Sequence, residues 1–230
     1  MTLTENELAQ YSDSVQRTLG LPRPKWRGVM HHWAFRVSIP VGIIATVFAG
    51  GLSDTIAVAI FAIGISAMLG ISARVHQPES DPAVLEVLFK WDHSGIFFCM
   101  ATGATAIGLM GLDGGRRIIL LSVYWVGALV GLATIWLPFR LPRGLTNTIY
   151  LAIGWTALPM GPALLESSGA LGLTLLLVGA AFYSVGALVV GFQWPNPNPH
   201  VFGYHEIWHV MVIIAASVHY VYVAVVLAHL

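Results

Sequence analysis

Hydrophobic positions in this chain come in long runs cut by brief polar punctuation, with neither strict alternation nor one narrow stripe. A helix crosses a bilayer with about 20 mostly apolar residues. Seven runs reach that length, at roughly 33–51, 55–75, 94–112, 118–137, 146–165, 171–192 and 204–227. Between them lie short breaker segments: Gly51 to Asp54, Asp113-Gly114-Gly115, Leu141-Pro142-Arg143-Gly144, Ser167-Ser168-Gly169 and the Pro-Asn run from Pro195 to Pro199. Period-2 alternation is missing, which argues against a transmembrane barrel. No linker is long enough to separate a second domain from the first. The pattern predicts an all-α integral membrane bundle of seven transmembrane helices, one domain over residues 1–230.

The first 30 residues lack the apolar core of a secretory signal. They read instead as a cytoplasmic amphipathic segment, with Thr4 and Glu7 as a capping box and Leu3 and Leu8 in staple positions. Leu8, Tyr11, Val15 and Leu19 make one apolar stripe that ends at Gly20. So short a stripe suits a helix lying on its own bundle better than a partner or membrane contact. A second short helix is expected from Asp81-Pro82 to Phe89, with Pro82 at its first position.

Composition sharpens the class. Charged residues are 10% of the chain against about 25% in soluble domains. Eleven basic residues balance eleven acidic ones, which removes any general case for nucleic-acid binding. The lone Cys99 excludes an internal disulfide and a cysteine-based zinc ribbon, and reads as a small core residue. With seven crossings, eight Lys/Arg (Arg17, Arg23, Lys25, Arg27, Arg74, Lys90, Arg140, Arg143) fall on one side and two (Arg116, Arg117) on the other. Positive charge marks the inside, so the N-terminus is expected in the cytoplasm and the C-terminus outside, in the cell membrane. Arg36 lies about one turn inside the first run, within snorkelling reach of water. Trp26, Trp33, Trp91, Trp136, Trp194 and Trp208 fall near run ends, as an interfacial belt would. Gly103, Gly127, Gly131, Gly179 and Gly186 read as close helix packing.

Nine histidines are the surplus. The end of run two and the starts of runs three and seven meet one face, and carry Ser72-Ala-Arg-Val-His76, Trp91-Asp92-His93-Ser94 and His205-Glu206-Ile207-Trp208-His209. Ionisable groups at membrane depth are costly and turn to the interior or to each other. His205 and His209, four apart, share a helix face and can reach one metal ion, with His76 as a third nitrogen. Three ligands plus water is the make-up of a catalytic zinc site. Asp92 then has the chemistry to hold that water or take its proton. Ser72, one turn from His76, is a candidate for a ligand or substrate hydrogen bond, or is satisfied by its own helix. The same string matches the H-E-x-x-H protease helix. Its downstream extension fails, with Val212 and Ala215 where Gly and His belong, and His219 too far along the helix to share the metal. Glu206 reads better as an interfacial helix-start carboxylate. His31 and His32 are expected at the headgroup level and His93 outside the ligand set. A hydrogen-bonded interhelical role is expected for His219, while His200 and His229 are expected to be solvated.

These residues resemble the bacterial hemolysin III family, a branch of the progestin and adipoQ receptor superfamily that includes the adiponectin receptors. The likeness rests on Arg27-Gly-Val-Met-His31, Ser72-x3-His76, Asp92-His-Ser-Gly-Ile96, Phe182-Tyr-Ser-Val-Gly186 and Phe202-Gly-Tyr-His-Glu-Ile-Trp-His209, and covers nearly all of the chain after Lys25. It implies a seven-helix bundle with a cytoplasmic N-terminus. It implies that His76, His205 and His209 bind Zn²⁺, that Asp92 contacts the metal-bound water, and that Ser72 is the motif serine. One stretch departs: Thr102-Gly-Ala-Thr-Ala-Ile107 stands where the family often has Gly-Thr-Tyr-Thr-Pro. Three readings stay open: a zinc-dependent hydrolase of a lipid amide or ester, a non-enzymatic membrane regulator with structural zinc, and the pore-former that the family name implies. Membrane lipids are the expected partners, and a homo-oligomer is left open. A pore or transporter has less support, since no wide polar stripe lines a run and Pro159 and Pro162 interrupt run five alone.

Overall fold

In lipid every backbone N–H and C=O must be satisfied within its own segment, so an apolar run becomes a helix. The computed structural model describes residues 8–137 and 144–228, and among them the chain is helical, without a named strand. The helices are α1 (Asp13–Gly20), α2 (Val29–Phe48), α3 (Leu52–Val75), α4 (Pro82–Gly111), α5 (Gly114–Trp136), α6 (Leu145–Trp155), α7 (Gly161–Phe192) and α8 (Tyr204–Tyr220), with one 3-10 turn at Leu158–Met160 and a wider π-helical stretch at Val221–Leu227. Five helical segments are long and apolar enough to cross a membrane. α2 is not among them, because His31, His32 and Arg36 lie in its first turns.

One of those five is the 48-residue stretch Leu145–Phe192, about 72 Å if straight and more than twice a bilayer core. It is not straight. Gly169 leaves the helical region at φ 66°, ψ −178°. Trp155 Nε1 then donates to Ser184 Oγ at 3.1 Å, across 29 residues that an unbroken helix would hold about 43 Å apart. The stretch folds back on itself around Gly169, the break expected at Ser167-Ser168-Gly169. The 3-10 turn carries Pro159, as the proline interruption of run five predicted.

α3 sits deepest, with 56% of its most apolar window buried against 22% for α5. Its Val58, Phe61, Ile65, Met68 and Leu69 pack with Ala106 of α4, Val212 and Ala216 of α8, and Tyr222 and Val223 of the π-helical stretch. Outward, Ile118, Val126, Leu129 and Val130 of α5 and Ile43, Ile44 and Val47 of α2 are exposed. An apolar surface that continuous is foreign to water and natural against lipid.

Several expectations change. The short helix at 82–89 and the third run are one continuous 30-residue helix, α4, because nothing between Phe89 and Ser94 breaks it. Asp81 caps it, accepting from the N–H of Ala83 and Val84, with Pro82 at its start. Asp92 and His93 therefore lie inside a helix. The Thr4–Glu7 capping box, Arg140, Arg143 and His229 lie outside the described residues. The stripe does not form one helix: a turn precedes α1. Even so, Val15 is fully buried against Val75, Leu85 and Phe89, with Tyr11 and Leu19 beside it, so the segment does lie on its own bundle. Trp208 is no belt residue. It packs inward where a Cβ on Gly186 would meet its ring at 2.6 Å. Gly127, Gly131 and Gly179 are likewise tight against Ile153, Phe97 and His219, whereas Gly103 faces open space.

Candidate metal centre

The centre forms where α3 ends and α8 begins. Ser72 and His76 are one turn apart, the His76 N–H donating to the Ser72 carbonyl at 3.2 Å as α3 closes. On α8 the four-residue spacing of His205 and His209 brings their rings edge to face, with centroids 4.6 Å apart and planes 66° from parallel. His76 stands 4.7 Å from His205 and 4.8 Å from His209, centroid to centroid. One ring nitrogen from each of the three lies within 4.8 Å of the others. Among the described residues this is the group of histidine, cysteine and carboxylate side chains able to share one ion. His76 and His209 are buried and His205 is partly so.

The donor set fits a first-row divalent cation. Two nitrogens each about 2.0–2.1 Å from a tetrahedral zinc stand about 3.3 Å apart. The Nε2 atoms of His76 and His205 are 3.1 Å apart. Three imidazoles leave a fourth position open, and suit zinc, copper, nickel or iron by ligand type.

What holds α8 in register is Glu206, fully buried between the two ligand positions. Its Oε2 accepts from the Gly203 N–H at 2.8 Å, capping the helix, and its Oε1 accepts from Arg27 Nε at 2.6 Å. The expectation of an interfacial carboxylate is corrected here. Glu206 does sit in the first turn, but it is sealed in by an ion pair from the segment before α2. With both oxygens engaged it is not a free general base, so the protease reading loses its base.

That preceding segment wraps the centre. Arg23 donates to the His76 carbonyl and, at 3.3 Å, to that of Arg27. Burial, then the charge of Arg27, lowers the pKa of Arg23. The N–H groups of Lys25 and Trp26 donate to His200 and Val201 in the loop that leads to α8. Gly28 starts α2 with φ +78°, and a Cβ there would fall 2.7 Å from the His76 Cβ. Glycine meets both demands, the left-handed backbone and the close approach. Beside this wall lies a polar basin of about 550 Å³ lined by Arg17, Arg23, Arg27, His76, Glu79 and Tyr204, among others. Glu79, accepting from the N–H groups of Asp81 and Ser80, has its pKa lowered.

Asp92 is outside the converging set. It lies inside α4 near Ser72 of α3 and next to His93, part of a second polar group on the α3–α4 seam. His93 is tied to its own helix, Nδ1 to the Phe89 carbonyl at 2.7 Å, in keeping with its exclusion as a ligand. Tyr150 Oη donates to the His93 carbonyl at 3.1 Å. His219 does bridge helices, its Nε2 3.2 Å from the Leu176 carbonyl. It borders an apolar cavity of about 200 Å³ whose wall includes Phe61, Cys99, Gly103, Tyr183 and Trp208.

His31 is the residue that sequence reasoning missed. It is 3% exposed, not at a headgroup surface, and its ring stacks on His209 with centroids 3.8 Å apart and planes 13° from parallel. The available signal was the three-residue step from Gly28 to His31, which puts both on one face of the first turn of α2.

Comparison with known proteins fits this geometry. A family model described as "Haemolysin-III related" matches residues 19–220, which include all three histidines. The chain belongs to the hemolysin III family. It is 28% identical over 192 residues to the hemolysin-3 homolog of Bacillus subtilis (strain 168), covering 80% of this chain and 85% of that protein. It is 29% identical over 182 residues to the hemolysin-3 of Bacillus cereus, covering 77% and 79%. Family and long apolar helices together make it a multi-pass protein of the cell membrane.

Proposed function

We propose that this protein is a zinc-dependent hydrolase of a membrane lipid amide or ester, acting in membrane lipid homeostasis, with His76, His205 and His209 as the metal ligands. The observation that carries the reading is the convergence of three imidazole nitrogens from two helices, two of the residues buried and one partly so, a donor set one short of the four that zinc takes. α2 and the two arms of the folded stretch bring the crossings to seven, with the histidine end at the cytoplasmic face, as the Lys/Arg distribution requires. A bound divalent cation would supply an electrophile for the carbonyl oxygen and make a water more acidic. Asp92 is the proton acceptor and Ser72, facing its carboxyl, orients it. Water adds to the carbonyl carbon, the C–N or C–O bond breaks, and the leaving group takes up the proton. The substrate headgroup occupies the polar basin. The apolar cavity that Trp208 walls, one residue before His209, suits an acyl chain.

The test begins with metal content. Protein purified in mild detergent should carry about one zinc per chain, and His205→Ala should release it. Stoichiometric zinc surviving removal of all three histidines ends the proposal. Hydrolysis of ceramide-like lipids by wild type, abolished in Asp92→Asn with zinc retained, separates an enzyme from a second reading, in which the metal only staples α3 to α8. That reading draws on the same contact between the two helices. The relatives' name, hemolysin-3, brings in cytolysis as a third reading, which dye leakage from liposomes would favour.

A further inference from the structure

We infer that His31 is a positioning residue of this centre, holding the His209 ring in its ligating orientation through a flat ring-to-ring contact rather than by binding the metal itself. The inference rests on the metal reading above. A ligating imidazole is ordinarily oriented by a hydrogen bond from its second nitrogen to a carboxylate, carbonyl or water. Among the described residues no side chain or carbonyl plays that part for His209, whose buried Nδ1 has no hydrogen-bond partner there. What it has is the His31 ring, 3.8 Å away and nearly parallel. At that separation the two faces are in van der Waals contact, and the His209 ring cannot turn about its Cβ–Cγ bond without striking its neighbour.

The same geometry argues against His31 as a fourth ligand. Its nitrogen lone pairs lie in its own ring plane, parallel to that of His209, and it does not join the three whose nitrogens converge. Among the described residues neither of its ring nitrogens finds a hydrogen-bond partner of normal geometry, and its polar contact is with the backbone of His209, the residue it stacks on. Its position is set by the first turn of α2. Gly28 lies against His76 and His31, three residues on, against His209, so one helix face buttresses two of the three ligands. Arg27, at the head of that turn, is anchored to Glu206 of α8, which fixes the wall relative to the ligands it supports.

The experiment compares wild type, His31→Ala and His31→Phe as full-length protein in detergent. It measures Co²⁺ and Zn²⁺ affinity by competition with a chelator, and records the cobalt ligand-field spectrum. His31→Ala should weaken binding about 10- to 100-fold, the range for loss of a group that orients a ligand, and should shift and broaden the cobalt bands. His31→Phe keeps a flat ring and should restore affinity to within about threefold of wild type, together with the native band shape. A purely structural role would lower thermal stability while leaving the cobalt spectrum of the folded fraction unchanged, and would overturn the inference. So would wild-type affinity in His31→Ala, or a loss in His31→Phe as large as in His31→Ala, which would make His31 a nitrogen donor. Wild type that binds neither ion would remove the metal reading and this inference with it, whereas wild type that binds alongside an equally competent His31→Ala removes the role of His31 alone.

Discussion

Replacing Arg27 by methionine and Glu206 by glutamine, singly and together, tests whether the segment before α2 and the start of α8 are locked to each other. Glu206 is fully buried and Arg27 is 21% exposed, with 2.6 Å between Nε and Oε1. Removing one partner of such a pair strands the other charge away from water, a loss of about 3–5 kcal/mol. The partial exposure of Arg27 puts Glu206→Gln near the lower bound, about 3 kcal/mol, because water can still reach the abandoned guanidinium. In Glu206→Gln the amide oxygen can still cap Gly203, so what is lost is the ion pair and not the cap. Arg27→Met leaves a carboxylate with only the Gly203 N–H for company, and belongs toward the upper bound. With both changes no charge remains, and the double variant should cost no more than Arg27→Met alone, a coupling of about 3 kcal/mol. Equilibrium unfolding in mixed micelles, followed by circular dichroism, reads all four proteins. Single losses below about 1 kcal/mol that simply add in the double variant would show that the pair is solvated in practice and would refute the lock.

Helix packing offers a matched control. Gly131→Ala drives a methyl into the fully buried Phe97 ring and should cost about 1–3 kcal/mol, while Gly103→Ala points into open space and should be neutral or slightly stabilising in the same unfolding assay. The fold-back at Gly169 predicts that spin labels at Asn147 and Gly191 report a short separation by pulsed electron resonance, since a Cβ on Gly191 would lie 3.8 Å from Asn147 Nδ2. A distance near 66 Å, that of 44 residues in one straight helix, would contradict it.

The helical class and most of the span limits could be read from the chain alone, for a physical reason. An apolar run that enters lipid without period-2 alternation satisfies its backbone as a helix, so length and composition suffice. His205 and His209 were legible for a similar reason, since a four-residue step puts two side chains on one helix face whatever surrounds it. Even the turn between the arms of the 145–192 stretch was announced by Ser167-Ser168-Gly169. The merging of 82–89 with the third run was not, because polar residues near an apolar run look the same whether they end a helix or continue it.

His31 and the Arg27–Glu206 pair belonged to the tertiary structure alone. A histidine just before an apolar run is indistinguishable in sequence from one resting among headgroups, and only the seating of α2 against α8 turned it inward onto His209. Arg27 and Glu206 are 179 positions apart, and no periodicity links residues on different helices. Asp92 shows the same division: its carboxylate chemistry was plain from the chain, but its register within an unbroken α4 set it near Ser72 of α3. Local spacing along one helix is fixed by covalent geometry, whereas which faces meet is settled by packing of all the helices at once.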